Sequence, residues 1–391
     1  MFSILFTNKA KSRLPWAIAL GVWIMIWSLW LSGLQMNPFA APLHLSENLP
    51  SNQLSEVSAE LVGLIPISEP TVPKYASFDS FAGHENDSFV TDRPLILYSF
   101  FETPLALKNL KFFISHALHD NADFLFVLQG DTDAEMLLPV AGNIRFVKRE
   151  NDCYDLGAFA EVLTTNDLYK KYTKYITMNS SIRGPFFPYW ATGCWSERYL
   201  SRVTEDTKLV GLTMNCRPRV HIQSMMWATD RVGMEILLFP SASLVEKYKE
   251  ILGDRDTAPV PKMKVAGINS CPHDYWDAVA VEVYATGLLQ TAGFKVNPIM
   301  MAYHTSEKYE EQCGSVPDLL GPGDYYGMDL HPYDTIFHKT NRGLNELVLE
   351  RLTSWADQSG YSSYDACKAP DTKPNKGVKK GWASRRQIWA R

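Results

Sequence analysis

From Pro94 onward, short apolar runs alternate with segments of helical spacing. Pro94 to Phe101 (PLILYSFF), Phe124 to Gln129 (FLFVLQ), Ile144 to Lys148 (IRFVK) and Tyr172 to Met178 (YTKYITM) read as strands. Leu105 to His119 and Leu156 to Leu163 read as the helices between them. This alternation predicts an α/β fold, a mostly parallel twisted sheet flanked by helices. Sheets of that kind bind ligands beyond the carboxyl ends of their strands, so chemistry is expected just after Phe101, Lys148 and Met178. The second half is less regular. It offers strand-like Leu209 to Met214 and Val220 to Met225, a long helix over Tyr275 to Gln290, and a further strand over Val296 to Tyr303.

The longest apolar run lies before all of this. Leu14 to Leu34 carries no charged side chain and is long enough to span a bilayer as a helix. It exceeds the apolar core of a cleavable signal peptide, and no small-residue cleavage pattern follows. Lys9, Lys11 and Arg13 precede it and the next basic residue is Lys74, so the N-terminus is expected in the cytosol and the rest on the lumenal side. Residues 1–13 then form a cytosolic tail, and 14–34 a signal anchor. Residues 35–92, rich in Ser, Pro, Glu and Asn, form a stem with too little apolar surface to fold. The globular domain occupies 93–368 and a basic tail 369–391.

All six cysteines fall on the predicted lumenal side, where disulfides persist, though sequence alone does not choose their pairing. None has zinc-ligand spacing. Asn86-Asp87-Ser88 is an accessible glycosylation sequon, whereas Asn179-Ser180-Ser181 ends a buried strand. A net charge of −5 with mixed signs excludes a nucleic-acid footprint.

Two segments stand at the predicted ligand edge. Arg149 to Phe159 leaves the third strand and opens a helix, whose N-terminal amides suit an anion such as a nucleotide diphosphate. The plainer role for Asp155 is a helix cap. Met178 to Phe186 follows the fourth strand. Together, Asn151 to Phe159 and Asn179 to Phe186 resemble the rhamnan-synthesis F-type polysaccharide glycosyltransferases and their eukaryotic relatives. Their pattern is roughly Asn-x-Gly-Tyr-Asp-x-Gly followed by a strand ending Asn-Asp/Ser-Ser-x-x-Gly-Pro.

The resemblance implies a GT-A-like nucleotide-sugar transferase, with Asn151, Tyr154, Asp155, Gly157, Asn179, Ser180 and Ser181 around the donor. Cys153 stands where the family has glycine, and residues 179–181 hold no carboxylate where related enzymes carry a metal-binding Asp-x-Asp. A divalent metal (Mn or Mg) is therefore left open. Arg183 is the expected cation for the leaving diphosphate. A literal Asp131-Thr132-Asp133 follows the second strand and reads as a solvated turn.

Glu282 interrupts an apolar helix and is the expected base for an acceptor hydroxyl, with Asp277 second. Asp230 is expected to hold acceptor hydroxyls or to cap a helix, and Trp190 to stack on a sugar. His304 is the candidate metal or diphosphate ligand at the end of the last strand. The resulting expectation is a single-pass type II Golgi or other secretory-pathway membrane glycosyltransferase. It would move sugar from a nucleotide-sugar donor to a glycan hydroxyl by direct displacement, with inversion at the anomeric carbon. The alternative is a non-catalytic lumenal protein with a degenerate transferase fold that binds a glycan or a partner.

Overall fold

The computed structural model describes residues 90–253, 267–315 and 318–368. The expected anchor at 14–34, the stem up to residue 89, the Asn86 sequon and the tail from 369 lie outside the described residues. Among those described, no helix is long and apolar enough to cross a membrane.

The chain opens with β1 (Leu95–Phe101) and α1 (Pro104–His116). Thr103 caps α1 through its side chain and Pro104, which has no N–H to leave unpaired, occupies its first turn. β2 (Asp123–Gln129), β3 (Ile144–Arg149), α2 (Tyr154–Thr164) and β4 (Lys174–Asn179) follow. Then come β5 (Ile182–Arg183), α3 (Trp195–Leu200), β6 (Thr207–Gly211), β7 (Met214–Asn215), β8 (His221–Ile222), β9 (Met226–Asp230) and α4 (Arg231–Leu238). The last part contains α5 (Ala242–Leu252), α6 (Tyr275–Thr291), β10 (Lys295–Pro298), α7 (Tyr309–Gln312), α8 (Pro332–Thr335), β11 (His338–Lys339), α9 (Glu346–Ser359) and α10 (Ser363–Ala366).

Seven of these strands form one sheet in the order β10-β6-β9-β4-β1-β2-β3. All pairings are parallel except those of β9, which runs antiparallel between β4 and β6. The chain moves outward from β1 through β2 to β3, then returns to the other side of β1 as β4. That reversal opens a crevice between the ends of β1 and β4. β1 is buried on both faces, and its period of two decides which side chain meets which helix. Tyr98 packs on Phe113 of α1 at 4.7 Å between ring centroids, while Ser99 turns to the opposite layer and meets α2.

Two expected strands are corrected. The run Val220 to Met225 forms only the two-residue β8, paired with β7, and the long strand starts at Met226. The alternation of Val220 and Ile222 imitated a strand, but Ile222 donates its amide to Thr286 of α6 instead of continuing a ladder. The strand expected at Val296 to Tyr303 ends as β10 at Pro298, and Met301–Thr305 turns as a 3-10 helix. The six cysteines form three disulfides, Cys153–Cys271, Cys194–Cys367 and Cys216–Cys313.

Candidate active site

Asp155 lies at the crevice between β1 and β4. It does not cap α2, whose N-cap is Cys153 with no side-chain hydrogen bond. Its Oδ1 accepts from Ser99 Oγ at 2.6 Å and Gln129 Nε2 at 3.3 Å, and its Oδ2 accepts from Asn179 Nδ2 at 2.8 Å. Ser99, Gln129 and Asn179 sit at or next to the carboxyl ends of three parallel strands, so one carboxylate ties three strand ends together.

The hydrogen-bond directions run consistently through the whole cluster. Arg149 Nη1 donates to Gln129 Oε1 at 2.9 Å, and Gln129 Nε2 donates to Ser99 Oγ at 2.7 Å. On the other side Asn179 Oδ1 accepts from Ser181 Oγ at 2.5 Å, and Ser181 Oγ accepts from Lys339 Nζ at 2.9 Å. Burial pushes the Asp155 carboxyl up, opposed by Ser99, the Lys339 charge, Asn179 and Gln129. Burial likewise pulls the Lys339 ammonium down, opposed first by Glu282 and then by Asp155. Lys339 therefore lies within electrostatic reach of both acids and joins the two halves of the site.

Glu282 also reaches this edge. Its carboxylate accepts the Ser224 amide, and one turn later Thr286 Oγ1 accepts the Ile222 amide at 2.9 Å, so α6 grips the segment leading into β9. Glu282 is partly buried, as is Asp277, five residues earlier on the helix and therefore on a different face. Asp274 caps α6, accepting from the Trp276 and Asp277 amides.

The turn before α2 is bent for close packing. Cys153 and Tyr154 adopt φ of 63° and 51°, the left-handed region that glycine enters most easily. At position 153 the resembled family has glycine, whereas this chain has a cysteine bonded to Cys271 at the approach to α6. A Cβ on Gly157 would fall 2.5 Å from the Cβ of Cys153. Gly157 thus lets α2 pack beneath the disulfide, which accounts for it without any contact to a ligand. The Tyr154 ring is exposed, as is Phe101 at the end of β1. A Cβ on Gly130 would touch the Phe101 ring at 3.4 Å and the Asn151 Cβ at 3.5 Å, so Phe101 and exposed Asn151 flank one small gap.

Several expected site residues are placed elsewhere. Arg183 is fully buried on the α1 side of the sheet, where Nε donates to Asn109 Oδ1 at 2.9 Å and Nη1 to Glu350 Oε1 and Thr353 Oγ1, both at 3.1 Å. Its charge holds α9 to β5 and does not face the Asp155 cluster; Lys339 takes that place. Asp230 is at the opposite edge of the sheet, paired in register with Lys174 at the start of β4. There it caps α4 through Gly233 and bonds Lys208 at 2.5 Å. Trp190 is exposed on the β5–α3 segment, whose neighbours Phe186 and Phe187 pack on Phe112 and Tyr361. Trp195 is core. Ser180 is buried and donates its amide to Ser99 O while its carbonyl accepts from Asn109.

His304 is exposed, and its Nε2 lies 3.0 Å from the Pro298 carbonyl. Among the described residues two groups of three metal-ligating side chains come together, His119 with Cys194 and Cys367, and Asp152 with Cys153 and Cys271. Both depend on disulfide-bonded sulfurs, which are not thiolates, so neither donor set fits a divalent metal. Asp131 and Asp133 are exposed turn residues, and the Thr132 hydroxyl between them is bonded to Glu102.

Sequence reasoning missed Ser99, Gln129, Phe101 and Lys339. The first two had a signal, since each is a polar residue near the end of an otherwise apolar strand. Lys339 had none, because β11 is a two-residue strand brought to the site only by pairing with β5.

No protein-family model matches the chain, and no curated protein matches it in sequence. Among solved structures, it is similar to the mannosyltransferase PcManGT from Pyrobaculum calidifontis in complex with GDP-Man and Mn2+, at 12% identity and a TM-score of 0.29, covering 54% of this chain and 57% of that one. It is also similar to the apo-form glycosyltransferase GlyE of Streptococcus pneumoniae TIGR4, at 10% identity and a TM-score of 0.35, covering 69% and 64%. The chain thus spans less than two thirds of the length of either structure. Likeness this loose assigns neither a family nor a ligand.

Proposed function

We propose that this chain is a glycosyltransferase that moves a sugar from a nucleotide-sugar donor to a glycan hydroxyl. In this reading residues 14–34 anchor it in a Golgi or other secretory-pathway membrane, with residues 93–368 lumenal. The observation that carries the reading is the Asp155 network at the β1–β4 crevice, with Lys339 and Glu282 on the same edge. The diphosphate lies between the N-terminus of α2 and Lys339, whose charge balances the leaving group in place of Arg183. Phe101 and Tyr154 offer exposed rings to the base, beside Asn151. Asp155 acts as a positioning group, since its oxygens already hold Ser99, Gln129 and Asn179.

The reaction is an inverting displacement. The acceptor oxygen forms a bond to the anomeric carbon, the bond from that carbon to the diphosphate oxygen breaks, and the acceptor proton passes to Glu282. Because the Ser224 amide holds Oε1, Oε2 is the oxygen that takes the proton. Asp277 is the second choice of base.

The test is thermal stabilisation of the full chain in detergent by a panel of nucleotide sugars, with and without manganese, together with release of the nucleoside diphosphate. One donor class should raise the transition and be turned over slowly by transfer to water. A folded protein that no nucleotide sugar stabilises at millimolar concentration would refute the transferase reading and leave the non-catalytic glycan- or partner-binding alternative.

A further inference from the structure

Beyond β10 the ligand edge continues into a surface that the donor site does not use. Ile299 and Met300 donate their amides to Gly211 O and Leu212 O, so the Met301–Thr305 turn emerges at the same edge as the end of β6. A second segment, from residue 318 into α8, is stitched to that turn by polar bonds. Asp334 Oδ1 accepts the Met301 amide at 2.9 Å, Asp334 Oδ2 accepts from Tyr325 OH at 2.7 Å, and Tyr325 OH accepts the Ala302 amide at 3.1 Å.

These bonds are made by buried Tyr325 and by backbone groups, and they leave Met301, Tyr326, Met328 and Tyr333 turned outward at 64%, 53%, 59% and 38% exposure. Tyr326 is held in the left-handed region at φ 54°, with its ring 5.7 Å from that of Tyr325 and 6.5 Å from that of Tyr309. Tyr326 thus presents its ring from a backbone conformation that few non-glycine residues adopt. The start of the same segment reaches the donor side. Asp318 accepts from Asn215 at 3.3 Å and pairs with Arg342 at 3.1 Å, and both Asp318 and Arg342 act on the charge of Lys339. Tyr333 and Lys339 are six residues apart, a reach of at most about 20 Å.

We propose that Met301, Tyr326, Met328 and Tyr333 form the acceptor subsite, on which the apolar faces of the sugar rings of a glycan chain stack while one hydroxyl is delivered toward Glu282. The proposal rests on the glycosyltransferase reading and names the binding surface for its second substrate. Aromatic faces bordered by hydrogen-bonding groups suit a sugar ring, which presents CH groups on its faces and hydroxyls at its edge. His331, whose ring lies 5.1 Å from that of Tyr333, supplies a hydrogen-bonding group beside it.

The test is saturation-transfer NMR on the full chain, in a detergent without a sugar headgroup, with the methyl glycosides of glucose, galactose, mannose and xylose as probes. Nucleotide-sugar thermal shifts are recorded in parallel. Tyr326→Asn removes the ring but tolerates the left-handed backbone, and Tyr326→Phe keeps the ring. At least one glycoside should bind saturably to the wild type and to Tyr326→Phe, and about fivefold or more weakly to Tyr326→Asn. The nucleotide-sugar shift should be the same in all three. Equal glycoside binding by Tyr326→Asn, or no saturable binding by the wild type, overturns the subsite while an intact nucleotide-sugar shift leaves the transferase reading standing. A wild-type dimer that Tyr326→Asn converts to a monomer also overturns it, by making the surface an interface between copies. Loss of the nucleotide-sugar shift in the wild type removes the reading beneath it.

Discussion

The site has two sides built in different ways. On the proposed donor side, Ser99, Gln129, Asn179 and Asp155 stand near the ends of regular strands or in the first turn of the next helix, one carboxylate, Asp155, connects them, and Lys339 joins from the short β11. On the proposed acceptor side, beyond β6 and β10, irregular loops converge from distant parts of the chain, held by Asp334, by Asp318 and by the Cys216–Cys313 disulfide. The first side inherits its geometry from the sheet. The second must be assembled by specific tertiary bonds.

Removing the central acid should separate the two sides most sharply. Asp155→Ala leaves three donors facing one another without their acceptor. Nucleoside diphosphate release should fall below detection, and urea unfolding should show a loss of about 2–3 kcal/mol. The acceptor side should remain intact, read as unchanged glycoside binding.

Acid should weaken the fold through two buried histidines. His119, packed against Phe124 and Trp195, accepts the Asn121 amide on Nδ1, and burial lowers its pKa to about 4. His338, next to Lys339, has a buried Nδ1 with no hydrogen-bond partner and is likewise lowered to about 4. A base whose folded pKa lies below its unfolded value of 6.5 gives stability that is complete above 6.5 and lost as pH falls toward 4. The loss amounts to about 3 kcal/mol per histidine by pH 4 and below. Denaturant midpoints across that window should fall less steeply for His119→Gln and for His338→Gln, and only the latter should change the pH dependence of donor binding.

Arg183 tests whether the two faces of the sheet are as distinct as the contacts indicate. Arg183→Leu removes the buried cation that Asn109, Glu350 and Thr353 surround, and should destabilise the domain by about 2 kcal/mol while donor affinity stays within about twofold. The smallest effect concerns the turn before α2. Cys153→Gly and Cys153→Ser both break the bridge to Cys271. The glycine variant should be the more stable by about 1 kcal/mol, because only glycine accepts φ 63° without a clash.

The contrast between the sides also explains what was legible in the sequence. The alternation of apolar strands and helices specified the half of the sheet from β1 to β4, and the rule that ligands bind at strand ends pointed to Asp155 and Asn179. Glu282 stands out in the sequence because a carboxylate inside an apolar helix needs partners, and it has one in the Ser224 amide. Arg183 was misplaced because strand-end position does not say which face of the sheet a side chain takes, and one residue decides that in a strand. Of its two expected roles Asp230 takes the helix cap, because β9 runs antiparallel and its end lies at the far edge. Lys339 and the Tyr326 surface depend on pairings of β11 and on loop-to-loop bonds that leave no periodic signal.

The central claim is that the diphosphate of a nucleotide sugar binds at Lys339 on the Asp155 side of the sheet. Calorimetric titration of nucleoside diphosphates into the wild type, Lys339→Met and Arg183→Leu tests it most directly. The account predicts binding by the wild type, about 100-fold weaker binding by Lys339→Met, and near wild-type affinity for Arg183→Leu. Unchanged affinity in Lys339→Met, or a loss confined to Arg183→Leu, would contradict it.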